Sequence, residues 1–173
     1  DTSNNKRSTR YFGGYEIDNY TGSHSRIEQR YTLASGVMLV KNNVDAIRNG
    51  LYYTHTDRLG STSTVTKADG SIVSQNGFDA FGMPRSGDWS KPIWGWTMAD
   101  TRINPADNPG NNPYTKPGIT RRGFTDHEQL DQLGLTHMNG RMYDYRLGRF
   151  LGVDPIIQFP TNSQSLNPYS YLM

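Results

Sequence analysis

The residues whose types and spacing best suit chemistry are His127, Glu128, Asp131 and His137. They stand in the run HEQLDQLGLTH, which fits the zinc-hydrolase spacing H-E-x-x-H-x-x-G-x-x-H with Asp131 in place of the middle histidine. On a helix, ligands four apart share a face, a third ligand past a glycine turn closes the set, and the glutamate serves as general base. Aspartate can ligate zinc, so the departure does not forbid a metal. A plainer reading covers the same residues: a polar surface helix with Gly134 as its stop. It is preferred, because two turns of helix are a short platform for a metal centre. A second pair is His55 and Asp57 in HTDRLGS. It reads either as a catalytic acid beside a histidine or as a loop shaped by Asp57 and Gly60. Aspartate accepts from its own backbone and glycine takes positive φ, so the loop is preferred. No G-x-S-x-G elbow and no glycine-rich phosphate loop occurs. Cysteine is absent, which removes disulfides, thiolate zinc sites and cysteine nucleophiles together. Asn19-Tyr20-Thr21 matches a glycosylation sequon, a motif too common to carry weight.

Strands must do most of the positioning. Arg10–Ile17 is aromatic and β-leaning, Ile27–Leu33 alternates at period two, and Gly36–Val40 is a continuous apolar run. Leu51–Thr54 reads as a further short strand. Thr62–Thr66 and Ser71–Gln75 flank Asp69-Gly70, a strong hairpin signal between β-branched runs. The one helix-like stretch is Asp126–Leu133, with Thr125 as N-cap. Arg141–Tyr145 and Arg149–Val153 follow as strands, and Tyr169–Met173 reads as a strand that stops mid-element. Phe78–Gly82 echoes Tyr143–Gly148: aromatic, Asp, spacer, Gly, a unit suited to a strand end where Asp caps a turn. The stretch 87–118 holds Trp89, Trp94, Trp96 and five prolines, which forbid a regular central strand and predict an irregular insertion.

Composition agrees. Aspartate outnumbers glutamate thirteen to three, with fourteen Asn and sixteen Thr, the usage of turns and strands rather than helices. The expected class is mainly β, in short antiparallel strands and hairpins. Leu, Ile, Val and Phe together number 32 of 173 residues, while eleven Tyr supply apolar area. The core is therefore expected to be thin and to finish against neighbouring chain. A net charge of +2 argues against a nucleic-acid platform. No apolar run is long enough to span a membrane. Residues 1–10 read as a polar arm or as the cut edge of a longer chain, with no apolar leader core.

An ordered series of segments resembles the RHS repeat-associated core domain. Tyr52–Val73 followed by Phe78–Pro84 (FDAFGMP) is similar to its opening. Arg122–Leu135 and Met138–Pro155 (MNGRMYDYRLGRFLGVDP) look like its second half, and Pro160–Tyr171 like its closing segment. The resemblance spans residues 11–173, with the Trp/Pro-rich insertion at 87–118 where that family varies in length. It implies that the chain is part of a tyrosine–aspartate (YD) repeat β-shell, a strip buried against neighbouring turns of a spiral. Such shells enclose a C-terminal toxin in bacterial polymorphic toxins.

The resemblance also gives Gly148–Pro155 a role. Asp154 would be one member of an aspartyl self-protease pair, with Arg149 supporting it and the second Asp downstream of Met173. Two carboxylates sharing a proton activate water and protonate a leaving amine. A lone Asp154 is no dyad, so this segment by itself is expected to be inert. The plainer alternative is that Asp154 caps the turn at Pro155 and Arg149 pairs with a carboxylate in the shell wall. The implied partners are the rest of the shell, a downstream toxin domain and a delivery-apparatus protein, in a bacterial product that is secreted or delivered to a target cell. No cofactor and no metal are expected. A rival reading is a carbohydrate- or cell-surface-binding YD-repeat module, using exposed tyrosine and tryptophan.

Overall fold

The computed structural model describes residues 6–22, 25–86, 119–130, 133–156 and 159–171. The insertion at 87–118 lies outside them. The described strands are β1 (Lys6–Phe12), β2 (Tyr15–Thr21), β3 (Arg26–Ala34), β4 (Val37–Asn42), β5 (Gly50–Thr56), β6 (Thr62–Lys67), β7 (Ile72–Phe78) and β8 (Pro84–Ser86). They continue with β9 (Glu128–Leu130), β10 (Leu135–Met138), β11 (Arg141–Asp144) and β12 (Arg149–Phe150). Neighbours follow chain order, β1 to β8, in one sheet, and run β12-β11-β10-β9 in the other. The mainly β, antiparallel class expected from composition is what forms. The helical pieces described are 3-10 turns of three or four residues. No described helix is long and apolar enough to cross a membrane.

Several local expectations change. Arg10–Ile17 is not one strand: Gly13, at φ +61°, turns the chain so that Phe12 faces Tyr15 across a two-residue hairpin. Lys6–Arg10, read as part of a polar arm, belongs to β1 and pairs with β2. The helix expected over Asp126–Leu133 does not form. Thr125 and Asp126 sit at positive φ, where an N-cap cannot. Glu128–Leu130 instead pairs with β10, His137 opposite Glu128 and Thr136 opposite Gln129. A two-turn helix is marginal alone, whereas the strand gains a partner a few residues on and buries Gln129 against the Thr136 hydroxyl. The Asp69-Gly70 hairpin forms, with Lys67 N–H donating to the Ser71 carbonyl at 2.9 Å and Gly70 at φ +82°.

Two compact units are distinguished: Asp1–His55 with Thr64–Ser74, and Thr56–Ser63 with Gln75–Met173. In the first, one face of the β1–β5 meander carries Met38, Val40 and Tyr52 together with buried charge. Asp18, Glu28 and Arg30 are all essentially inaccessible. Arg30 donates to Asp18 at 2.7 Å and to Glu28 at 2.5 Å, while Arg7 and Thr9 reach Asp18 and Arg48 and Asn42 reach Glu28. Burial opposes the charged carboxylates, yet the guanidinium groups and donors around them hold both below the usual carboxylate range. The opposite face carries Phe12, Tyr15 and Tyr31, with the two tyrosine rings stacked at 4.7 Å.

The second unit is built on aromatics. Phe78, Phe124, Met138, Tyr143, Tyr145 and Phe150 are buried together, with Met83 and Tyr171 against them. Tyr143 hydroxyl donates to the Phe81 carbonyl at 2.9 Å. Burial, and then the nearby Tyr171, Asp79 and Asp144, push its phenol up to about 12.

Candidate functional site

The second unit's loops are built on aspartate. Asp57 Oδ1 accepts from Leu59 N–H at 2.8 Å and Ser61 N–H at 2.9 Å, and Gly60 closes the loop at φ +82°. Asp79 repeats this arrangement with Phe81 and Met83, both at 2.9 Å, and Gly82 at φ +85°. Asp144 accepts from Arg146 and Leu147 N–H, and Gly148 follows at φ +65°. These carboxylates serve the backbone, as the aromatic–Asp–spacer–Gly echo implied, and Asp144 also pairs with the Arg146 guanidinium at 3.3 Å. His55 meets Thr66 at 3.1 Å in the first unit, so the shaped-loop reading of Asp57 fits the geometry.

Asp154 is held differently. One oxygen accepts from Ile156 N–H at 3.0 Å across Pro155, the turn cap foreseen in the sequence. The other lies 3.0 Å from Arg141 Nη2. Its own N–H donates to the Pro168 carbonyl at 2.9 Å. The Arg141 guanidinium is fixed in turn, with its carbon 3.6 Å from the Phe150 ring centroid and Nη1 3.4 Å from the Pro168 carbonyl. Both side chains remain about a quarter exposed, so the pair is open to solvent.

Arg149 is elsewhere. It is exposed on β12, opposite Asp144 on one side and bridged to Ser170 on the other. No described hydrogen bond or ion pair joins its side chain to Asp154. The guanidinium beside Asp154 is that of Arg141. The register of the β11–β12 hairpin puts it there. Tyr143 faces Phe150 and Leu151 N–H donates to the Met142 carbonyl. Counting back along that hairpin places position 141 beside Gly152, two residues short of Asp154. Of this, only the Asn139-Gly140 turn that launches β11, with Asn139 at φ +56°, was legible in the sequence.

The zinc spacing loses its premise. His127 precedes β9 and Glu128 lies within it, so the pattern is not displayed on a helix. His127 Nδ1 is 2.9 Å from the Thr125 hydroxyl. Asp131 lies outside the described residues, as do Trp89, Trp94 and Trp96.

No family model and no curated protein matches this sequence. Solved structures do. The chain is similar to a chain of TcdB2-TccC3 without hypervariable C-terminal region, at 16% identity and TM-score 0.67, covering 98% of this chain and 7% of that one. A second TcdB2-TccC3 crystal structure matches at 16% identity and TM-score 0.65, covering 96% and 7%. A Tc holotoxin pore of Photorhabdus luminescens carrying a TccC3 variant matches at 16% and 0.66, covering 98% and 7%. The fold is therefore shared along almost the whole of this chain, which spans a small fraction of those proteins' length.

Proposed function

We propose that this chain is a segment of an RHS-type shell wall that encloses a C-terminal toxin, and that Asp154 belongs to a self-cleavage site that frees it. Arg141, not Arg149, holds the Asp154 carboxylate. The observation that carries the reading is the Asp154–Arg141 pair, anchored on the Pro168 carbonyl and open to solvent. The likeness in fold to the TcdB2-TccC3 chains, and the ordered resemblance to the RHS core, support the shell.

In the cleavage step a second aspartate, downstream of Met173, shares a proton with Asp154. One carboxylate takes a proton from water as the water oxygen attacks the scissile carbonyl; the other protonates the leaving amine. The products are a new C-terminal carboxylate and a new amino terminus. Arg141 fixes the carboxylate's direction. This segment without the second aspartate is inert. The test is gel analysis of the full-length protein with and without Asp154→Asn. Release lost in the variant supports the reading, and equal processing of both proteins reduces Asp154 to a turn cap.

One observation favours a second reading, a carbohydrate- or cell-surface-binding YD-repeat module. Phe12, Tyr15 and Tyr31 form a stacked aromatic strip on one sheet face, and Phe12 is 63% exposed. Gln29, which donates to the Tyr15 hydroxyl, supplies an amide beside it. A glycan array with Tyr31→Ala as control separates this reading from a wall segment.

A further inference from the structure

The closing segment 167–171 does more than end the described chain, and its role in cleavage rests on the self-cleavage reading. Asn167 folds it into a turn, its side chain accepting from Tyr169 N–H at 3.1 Å and its carbonyl from Ser170 N–H at 3.2 Å. Pro168 then presents one carbonyl to two donors, Asp154 N–H and Arg141 Nη1. Tyr169 accepts from Phe150 N–H at 2.9 Å, and Ser170 forms an antiparallel bridge with Arg149. Tyr171 drives its ring into the core, 5.0 Å from Tyr143, 5.8 Å from Phe150 and 6.1 Å from Phe124. Its hydroxyl lies 3.4 Å from that of Thr125.

Every residue of this strap except Asn167 therefore bonds or packs against β11, β12, the Asp154 turn or the core beneath them. Two consecutive functions are combined in it. It braces the carboxylate–guanidinium pair through Pro168, and it pins the chain at Tyr171. A β-bridge fixes register, since a one-residue slip would reverse every side chain. A ring packed against three others resists such a slip.

We propose that the strap is the positioning element of the cleavage reaction: it sets which downstream peptide bond reaches Asp154, by count of residues from Tyr171. Selection is then by length of chain, with the residues flanking the bond secondary. Holding the reacting carbonyl at a fixed reach converts an encounter into a positioned, intramolecular step.

Two single-glycine insertions in the full-length protein test this. One lies between Tyr171 and Leu172, after the pin. The other lies between Pro160 and Thr161, in the exposed stretch before the strap. The readout is the intact mass of the released C-terminal fragment. The insertion after the pin is expected to move the cut by one residue, while the insertion before the strap leaves the native bond cut; cleavage lost after the pin, which displacement of the second aspartate alone would produce, overturns the proposal. The native bond cut in both variants, or cleavage lost equally in both, overturns the proposal. Its failure is distinct from that of the reading beneath it, which fails when the unaltered protein is not cleaved or when Asp154→Asn is cleaved normally. Tyr171→Phe, which keeps the ring, is expected to retain the native bond.

Discussion

The Arg141 guanidinium meets the Asp154 carboxylate at 3.0 Å and lies over the face of Phe150, its carbon 3.6 Å from the ring centroid. Contact with the ring and with the carboxylate together restrict it, and lysine cannot reproduce both.

Release of the C-terminal region in the full-length protein should therefore depend on Arg141 more than on Arg149. Arg141→Lys is expected to slow release at least tenfold, equivalent to about 1.4 kcal/mol on the barrier. Arg149→Ala is expected to leave it within about twofold, a few tenths of a kcal/mol. Single-turnover gels of the two variants decide; the reverse order restores Arg149 as the supporting residue. Because the pair is partly exposed, the cost of Arg141→Lys to folding should stay below about 1 kcal/mol.

Gly82 has no room for a side chain. A Cβ there would fall 2.5 Å from Phe124 Cδ1, and the residue sits at φ +85°. Gly82→Ala is expected to cost roughly 2–4 kcal/mol through overpacking and backbone strain together. Gly70→Ala is the control, with the same sign of φ and nothing within 4 Å of its Cβ; about 1 kcal/mol is expected there. Chemical denaturation midpoints measure both.

The buried charges of the first unit should make it sensitive to removal of one partner. Arg30→Met leaves Asp18 and Glu28 buried beside each other, at a cost of roughly 3–5 kcal/mol. Acid acts in the same direction. The two carboxyls titrate below their unfolded values of 3.8 and 4.5. Their stabilisation is therefore complete above that range and is lost as pH falls through the lower folded-state values. Denaturation midpoints are expected to hold from pH 7 to about pH 5 and to drop below about pH 4. A flat acid limb would contradict the network.

Tyr143 titrates the other way. Its phenol is raised from 10.0 to about 12 by burial and by its neighbours. The folded state thus holds the proton longer, and the stabilisation present below pH 10 is lost as pH rises through about 12. Tyrosinate absorbance should show a late-titrating component that Tyr143→Phe removes. That variant also deletes the bond to the Phe81 carbonyl, at about 1 kcal/mol.

Much of this protein was legible in its residue order because the deciding interactions are local. Asp69-Gly70 demands a hairpin, and Asp57 and Asp79 each find their N–H partners within four residues. The β class follows from the excess of Asp, Asn, Thr and Tyr, whose propensities act residue by residue. What the chain order did not disclose depends on register and on distant partners. Glu128–Leu130 looks helical until β10 offers a pairing edge. Gly13 divides an aromatic run that reads as one strand. Arg141 and Arg149 are equivalent by type, and only the β11–β12 hairpin places one of them on Asp154 while Phe150 holds it there. The buried triad of Asp18, Glu28 and Arg30 is likewise a tertiary decision, because charge is tolerated inside only where strands from separate parts of the sequence bring compensating partners together.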